Sequence, residues 1–128
     1  MDIDIPEVKA EVEAAFARYE TALVTNDVRV LDELFWESPT TVRFGTGENL
    51  FGAEEIAAFR AARSPVGLAR TVLRSSVTTY GQDFATTSIT FQRAGSAKIG
   101  RQQQSWVRLP EGWRVVAAHV SLIDPPNS

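Results

Sequence analysis

The stretch IGRQQQSWVRLPEGWRVVAAHVSLI, residues 99–123, decides the fold class. Segments of strand length lie on both sides of the turn-forming tripeptide Pro110-Glu111-Gly112, and side-chain character follows a period of two rather than the three-to-four of a helix. A period of two is typical of β-strands, and so short a connection joins antiparallel neighbours. The stretch therefore predicts two long antiparallel strands, Ile99 to Leu109 and Trp113 to Ile123.

The period of two extends back to Gly67. Two more segments, Ala69 to Tyr80 and Asp83 to Arg93, are bounded by short turns that contain Gly81 and Gly95. Four consecutive strands with short connections predict an antiparallel meander.

Before Gly67, apolar residues recur at steps of three and four, which indicates helices. The first helix begins at Pro6, the second follows its capping residue Asp27, and the third spans Ala53 to Arg63. A short strand, Thr41 to Phe44, precedes the third helix. The order predicts one α+β domain over residues 1–128, with three helices packed on one face of a curved antiparallel sheet.

Composition narrows the functional classes. The chain has 128 residues, of which 44% are hydrophobic, and this suits a single globular domain. No run approaches the ~20 apolar residues of a membrane span, and the acidic start lacks the basic region of a signal peptide. We therefore expect a cytoplasmic protein with no membrane partner.

Cysteine is absent and His119 is the one histidine, so we expect no metal site and no cofactor. The net charge of -3 argues against a nucleic-acid partner, because such domains usually carry excess positive charge.

Two residues stand out as candidates for an interior site. Arg43 lies between Val42 and Phe44, so strand alternation points it away from both and suggests an anionic partner; the alternative is an edge arginine in water. Tyr19 lies on the apolar stripe of the first helix, so its hydroxyl needs a partner inside the fold. The alternative there is a core tyrosine bonded to a backbone carbonyl.

The long strands carry further polar candidates. Gln102, Gln104 and Trp106 share one strand face, which predicts a cavity lined by polar groups. His119 is either a donor near neutral pH or a structural histidine between strands. Arg70 and Arg74, expected on one face of their strand, either add charge to a pocket or line the exposed face.

Strict alternation in the last strand puts Trp113, Val115, Ala117, His119 and Ser121 on one face. Both faces are then largely apolar through the middle, and helices can cover only one of them. We therefore expect a homodimer through the outer sheet face; a dimer of dimers would keep the same contact.

Five sequence blocks resemble the AtzH-like family, which includes the HpxZ proteins of oxalurate catabolism and belongs to the nuclear-transport-factor-2-like superfamily. The blocks are FWESPTTVRFG (35–45), ENLFG (48–52), FRAAR (59–63), GRQQQSW (100–106) and GWRVVAAHVS (112–121). The resemblance implies a cystatin-like conical roll that is usually dimeric through its sheet. It also implies a functional link to an amidase-signature enzyme.

The resemblance further implies an activity. A family member in cyanuric acid degradation is described as an amidohydrolase that converts 1,3-dicarboxyurea to allophanate, and its essential tyrosine and arginine fall on Tyr19 and Arg43. We therefore predict catalytic roles for these two, with substrate contacts from Arg70, Gln104, Trp106 and His119.

The chemistry is compatible with a small dianion. A guanidinium fork matches a carboxylate, and a phenol beside a cation could act as general base or acid. No strong nucleophile or metal-bound water is evident, but an N-carboxylated urea is prone to lose carbon dioxide once its nitrogen is protonated.

Two alternatives stay open. One is a non-catalytic carboxylate-binding accessory protein for an amidase. The other is a SnoaL-like cyclase or isomerase, which would need an acidic base in an apolar cavity.

Overall fold

The structure, a computed structural model, describes residues 1–126 of the chain. The helices are α1 Pro6–Val24, α2 Val28–Leu34 and α3 Ala53–Ala62. The strands are β1 Val42–Phe44, β2 Asn49–Phe51, β3 Arg70–Tyr80, β4 Phe84–Arg93, β5 Ile99–Leu109 and β6 Gly112–Ile123.

Local sequence explains where the first two helices begin. Pro6 opens α1, where a residue without an N–H group loses no helical hydrogen bond. Asp27 caps α2 by accepting a hydrogen bond from the Val30 backbone N–H at 3.3 Å. The stripe that α1 buries against the sheet consists of Val8, Val12, Phe16, Tyr19, Ala22 and Leu23.

The six strands form one sheet in the order β2-β1-β6-β5-β4-β3. The four long strands pair antiparallel with their neighbours in sequence, which confirms the predicted meander. The short β1 is antiparallel to β2 but parallel to β6. The α+β class is therefore confirmed, with a mixed sheet in place of the purely antiparallel one that the sequence predicted.

A β-bulge in β6 changes which residues face the helices. Ser105 pairs with Ala117 and Trp106 pairs with Val115, so Val116 has no partner of its own in this register. An extra residue reverses the alternation beyond it. The helix side of the sheet, here called the inner face, therefore takes Trp113, Val115, Ala118 and Val120. Strict alternation in this strand is a wrong prediction, and His119 lies on the opposite, outer face.

A second bulge lies in β3. Val72 pairs with Phe91 and Arg74 pairs with Thr90, which leaves Leu73 without a pairing partner. Arg70 consequently points inward, toward α1, whereas Arg74 lies on the outer face. The expectation that these two arginines share a face is wrong for the same physical reason as in β6.

The apolar core lies between the inner face and the helices. Val12, Leu31, Ile56, Phe91 and Trp106 are each at most 1% exposed. Within residues 1–126, no helix combines the length and the apolar character needed to cross a bilayer.

Candidate functional site

Among the interior residues, Tyr19 is the clearest candidate for acid–base chemistry. It is 3% exposed, and its ring lies between those of Phe16 and Phe35, with centroid distances of 6.3 Å and 6.2 Å. A buried phenol normally hydrogen-bonds a neighbouring group. Within residues 1–126 its hydroxyl makes no hydrogen bond. Tyr19 is therefore held in place by its ring, and its hydroxyl is left for another partner.

Arg43 points inward from β1, because it pairs with Ala118 of the inner face while Val42 and Phe44 pair with Ala117 and His119. Its guanidinium lies 5.5 Å from the Phe59 ring. Nη1 donates a hydrogen bond of 3.0 Å to Oε1 of Glu48. Arg43 is thus an interior cation that already holds one carboxylate.

Gly45 provides the space for this ion pair. A Cβ atom at position 45 would lie 1.8 Å from Oε1 of Glu48 and 3.0 Å from Nη1 of Arg43. Glu48 also accepts a hydrogen bond of 3.2 Å from the Gly47 backbone N–H. The turn between β1 and β2 therefore folds a carboxylate back onto Arg43.

Arg60 of α3 was not predicted from the sequence. It is 3% exposed, lies 4.1 Å over the Phe35 ring and donates a hydrogen bond of 3.1 Å to Asp32. Burial lowers the pKa of its guanidinium, and the charge of Arg43 adds to this, whereas Tyr19 and Asp32 oppose it. Arg60 is therefore within electrostatic reach of both Tyr19 and Arg43. The signal that could have found it is its spacing of four from the buried Ile56.

Arg70 lies inside the fold but is already bound. Its Nε and Nη2 atoms donate to the two carboxylate oxygens of Glu20 on α1, and Nη2 also donates to Oε1 of Gln102 at 3.2 Å. Its guanidinium stacks 4.3 Å from the Phe91 ring. The structure thus brings Arg70 to the interior with its charge compensated.

Gln104 and Trp106 belong to one buried network. Nε1 of Trp106 donates to Oγ1 of Thr87 at 3.1 Å, and Oγ1 of Thr87 donates to Oε1 of Gln104 at 3.2 Å. Trp106 has its single donor satisfied, whereas Nε2 of Gln104 makes no hydrogen bond within residues 1–126. Gln104 lies in register with Ala118, which is itself in register with Arg43.

His119 does not reach this interior. It pairs with Gln103 on the outer face, is exposed, and lines a depression of about 610 Å³ with Arg74, Ser88, Arg101 and Ser121. The bulge at Val116 places it there. The predicted grouping of His119 with the interior residues is therefore wrong.

Two more arginines, both half-buried, lie beside this interior. Arg63 lies 6.0 Å from the Phe59 ring, and Arg93 lies 5.6 Å from the Phe91 ring. Burial lowers the pKa of Arg63, as does the charge of Arg43. Burial also lowers the pKa of Arg93, followed by the charges of Arg70 and Arg43. We call Arg43, Arg60, Arg63, Arg70 and Arg93 the arginine cluster.

The arginine cluster carries more positive than negative charge. Its carboxylate partners are Glu48, Asp32 and Glu20, one each for Arg43, Arg60 and Arg70. Positive charge is therefore in excess. Among the described residues, no group of three or more His, Cys, Asp or Glu side chains is arranged to hold a metal ion.

An open groove between α2 and α3, of about 1110 Å³, shares Arg60 with the cluster but has an excess of negative charge. Its lining carries two guanidinium groups, Arg29 and Arg60, and five carboxylates, Asp32, Glu33, Glu37, Glu54 and Glu55. Negative potential repels a small anion. The arginine cluster is thus the better candidate site for an anionic ligand.

Comparison with known proteins places these features in a family. A sequence profile of the AtzH-like family matches residues 1–126. The chain belongs to the AtzH-like family. No functionally curated protein matches this AtzH-like chain at a significant level.

Solved structures agree with this assignment. A protein with unknown function of the DUF3225 family from Pectobacterium atrosepticum is 59% identical, with a TM-score of 0.95 and 96% of each chain covered. A cystatin-like fold protein from Burkholderia xenovorans is 48% identical, with a TM-score of 0.95, and the match covers 98% of this AtzH-like chain and 99% of that one.

The fold extends to more distant proteins. A nuclear transport factor 2-like superfamily protein from Salmonella enterica is 24% identical, with a TM-score of 0.73 and 94% of each chain covered. At this identity the likeness concerns the fold alone. The AtzH-like chain therefore has the nuclear-transport-factor-2-like, or cystatin-like, fold.

Proposed function

We propose that this chain is a small decarboxylating amidohydrolase that acts on a carboxylated urea or a related small dianionic amide. The reaction is of the type that converts 1,3-dicarboxyurea to allophanate. The observation that carries the proposal is the Tyr19 hydroxyl, which has no hydrogen-bond partner within residues 1–126 and lies within electrostatic reach of Arg60 and Arg63.

Arg43 binds one carboxylate of the substrate. The contact with Glu48 supports this role. Its carboxylate accepts a hydrogen bond of 3.0 Å from Nη1 of Arg43, and a carboxylate of the substrate would bind in the same way. A planar guanidinium matches a carboxylate through two parallel hydrogen bonds. Substrate binding then requires Glu48 to yield or share this position.

Tyr19 delivers the proton. The bond between the urea nitrogen and the carboxyl carbon breaks, its electron pair stays on nitrogen, and that nitrogen takes the phenolic proton. Carbon dioxide leaves, water returns a proton to Tyr19, and the resulting hydroxide combines with the carbon dioxide to give bicarbonate. Positioned proton transfer of this kind contributes about 10²–10⁴-fold in rate.

The three carboxylates near the cluster favour this assignment over an isomerase. Such an isomerase uses an unpaired carboxylate as base, whereas Glu20, Asp32 and Glu48 each form an ion pair with an arginine. Because these paired carboxylates are not free to act as bases, Tyr19 is left as the main group for proton transfer. So small a set of catalytic groups makes the accessory protein the second candidate. An accessory protein would bind the dianion without turning it over.

The experiment is a turnover assay with ¹³C-labelled 1,3-dicarboxyurea generated in the sample and followed by NMR. We expect allophanate and carbon dioxide to form faster than without protein. Tyr19→Phe should lose about 10²-fold in rate while it retains anion binding. Equal rates for the wild type, the variant and the protein-free sample would reject the hydrolase, and anion binding without turnover would favour the accessory protein.

The homodimer is a separate proposal. The outer face carries Arg74, Arg101, Gln103 and His119 around its depression, together with the smaller Ala117 in the centre of β6. Ala117→Arg would add a bulky charge in the middle of this face. Light scattering should show a dimer for the wild type and a monomer for the variant, and a monomeric wild type would contradict the proposal.

A further inference from the structure

The arginine cluster has two members without a counter-ion. Arg43, Arg60 and Arg70 each pair with a carboxylate, as described above. Within residues 1–126, neither Arg63 nor Arg93 makes a salt bridge. Both residues are half-buried. Because partial burial of an unpaired charge carries a cost, guanidinium groups without a counter-ion favour an anionic ligand.

Arg63 has the more specific signal. Its Nε and Nη2 atoms are buried and have no hydrogen-bond partner within the described chain. The end of α3 fixes its position, because Arg63 leaves the helix in an extended conformation with φ -73° and ψ 139°. One edge of its guanidinium is therefore buried, oriented and unused.

Arg93 approaches the same space from the sheet. It pairs with Arg70 across β3 and β4, and it lies over the Phe91 ring that Arg70 also covers. Its electrostatic neighbours include Arg43 of β1 and Glu48 of the β1–β2 turn. Arg63 and Arg93 consequently approach the Arg43–Glu48 pair from different elements.

Neutral donors on the inner face of β5 are also unpaired. Nε2 of Gln102 and Nε2 of Gln104 are buried, each side chain is 2% exposed, and neither atom has a partner within residues 1–126. Both are donors, as are the free atoms of Arg63. An acceptor-rich ligand such as a carboxylate or a urea carbonyl would satisfy all of them.

We propose that Arg63 and Arg93 are the charge partners that make this site selective for dianions over monoanions, with Gln102 and Gln104 donating to the uncharged part of the ligand. The ligand class rests on the proposed function, but the selectivity is a matter of binding alone. Two uncompensated cations match two carboxylates. A product that has lost one carboxylate as carbon dioxide would then be held less tightly and released.

The test compares glutarate with valerate, which have five carbons each but carry two carboxylates and one. Isothermal titration measures both ligands with the wild type, Arg63→Gln, Arg93→Gln and the double variant. Arg101→Gln is the matched control, because Arg101 is exposed on the outer face. Both interior substitutions remove an uncompensated cation, so we expect no loss of melting temperature.

We expect the wild type to bind glutarate at least about tenfold more tightly than valerate, since hydrogen bonds to charged groups are strong. Each single interior variant should reduce this ratio by about tenfold, and Arg101→Gln should leave it unchanged. An unchanged ratio in both single variants, or no binding of glutarate by the wild type, would overturn the inference. Selective glutarate binding without turnover of dicarboxyurea would reject the hydrolase alone, and turnover with an unaltered ratio would reject the inference alone.

Discussion

The inner face of the sheet has two halves, which differ in whether their buried polar groups are hydrogen-bonded. The tryptophan half, formed by Ala85, Trp106, Trp113 and Val115, satisfies its indole donors. Nε1 of Trp106 donates to Thr87 at 3.1 Å, and Nε1 of Trp113 donates to Glu11 at 2.9 Å. This half behaves as a protein core.

The arginine half consists of Gln102, Gln104 and the sheet members of the arginine cluster, with Arg60 and Arg63 beside it at the end of α3. It leaves donors of Arg63, Gln102 and Gln104 unpaired within residues 1–126. Each such donor costs stability. Sites that bind ligands commonly carry this cost, because groups aimed at a ligand cannot also be satisfied within the protein. Under the proposed function, one half stabilises the fold and the other binds the ligand.

The largest effect should come from the tryptophan half. Trp106 is fully buried, and Trp106→Ala would leave a large cavity and deprive Thr87 of its donor. We expect a loss of about 3–5 kcal/mol in the free energy of unfolding, measured by urea denaturation. A loss below about 1 kcal/mol would contradict the assignment of this half to the core.

A smaller loss of stability should follow from crowding in the arginine half. A Cβ atom at Gly100 would lie 2.2 Å from the Phe91 ring, which supports Arg70 at 4.3 Å and Arg93 at 5.6 Å. Gly100→Ala should therefore displace the ring, cost about 1–3 kcal/mol and weaken glutarate binding. Gly47→Ala is the control, since a Cβ atom there meets nothing within 4 Å. Equal melting temperatures for both variants would count against the close packing described here.

Arg43→Lys should affect binding more than stability. Lysine keeps the charge but lacks the planar fork, so we expect glutarate affinity to fall about tenfold, as measured by titration calorimetry. Arg74→Lys on the outer face is the matched control and should bind as the wild type does. Equal affinity in both variants would exclude bidentate recognition by Arg43.

The smallest effect should have the opposite sign. Gln102→Glu replaces an unpaired donor with an acceptor beside Arg70, so we expect the free energy of unfolding to rise by about 1 kcal/mol while glutarate binding falls. Gln103→Glu, exposed on the outer face, should change neither quantity. A lower free energy of unfolding for Gln102→Glu would show that a negative charge at this position does not stabilise the interior.

Much of the fold could be predicted because hydrophobic periodicity reflects burial directly. The change of period at Gly67 located the sheet, and β5 has the predicted bounds Ile99–Leu109. The inward direction of Arg43 was predictable as well, since β1 carries no bulge. The buried face of Gln102 and Gln104 followed from the same alternation.

The bulges could not be predicted, because a single extra residue leaves no clear signal in composition. Those at Leu73 and Val116 decide that Arg74 and His119 face outward. Arg60, Arg63 and Arg93 were missed for a different reason. The guanidinium of an arginine on a helix or at a strand end usually lies in solvent. Whether the side chain instead points into the fold depends on partners distant in sequence, such as Asp32 for Arg60.

A crystal structure of the protein soaked with glutarate would locate the anion site. We expect density for the dicarboxylate inside the roll, with one carboxylate on Arg43 and the Tyr19 hydroxyl about 3 Å from the ligand. Glutarate bound only in the outer depression near His119, with the interior closed by the Arg43–Glu48 pair, would contradict it.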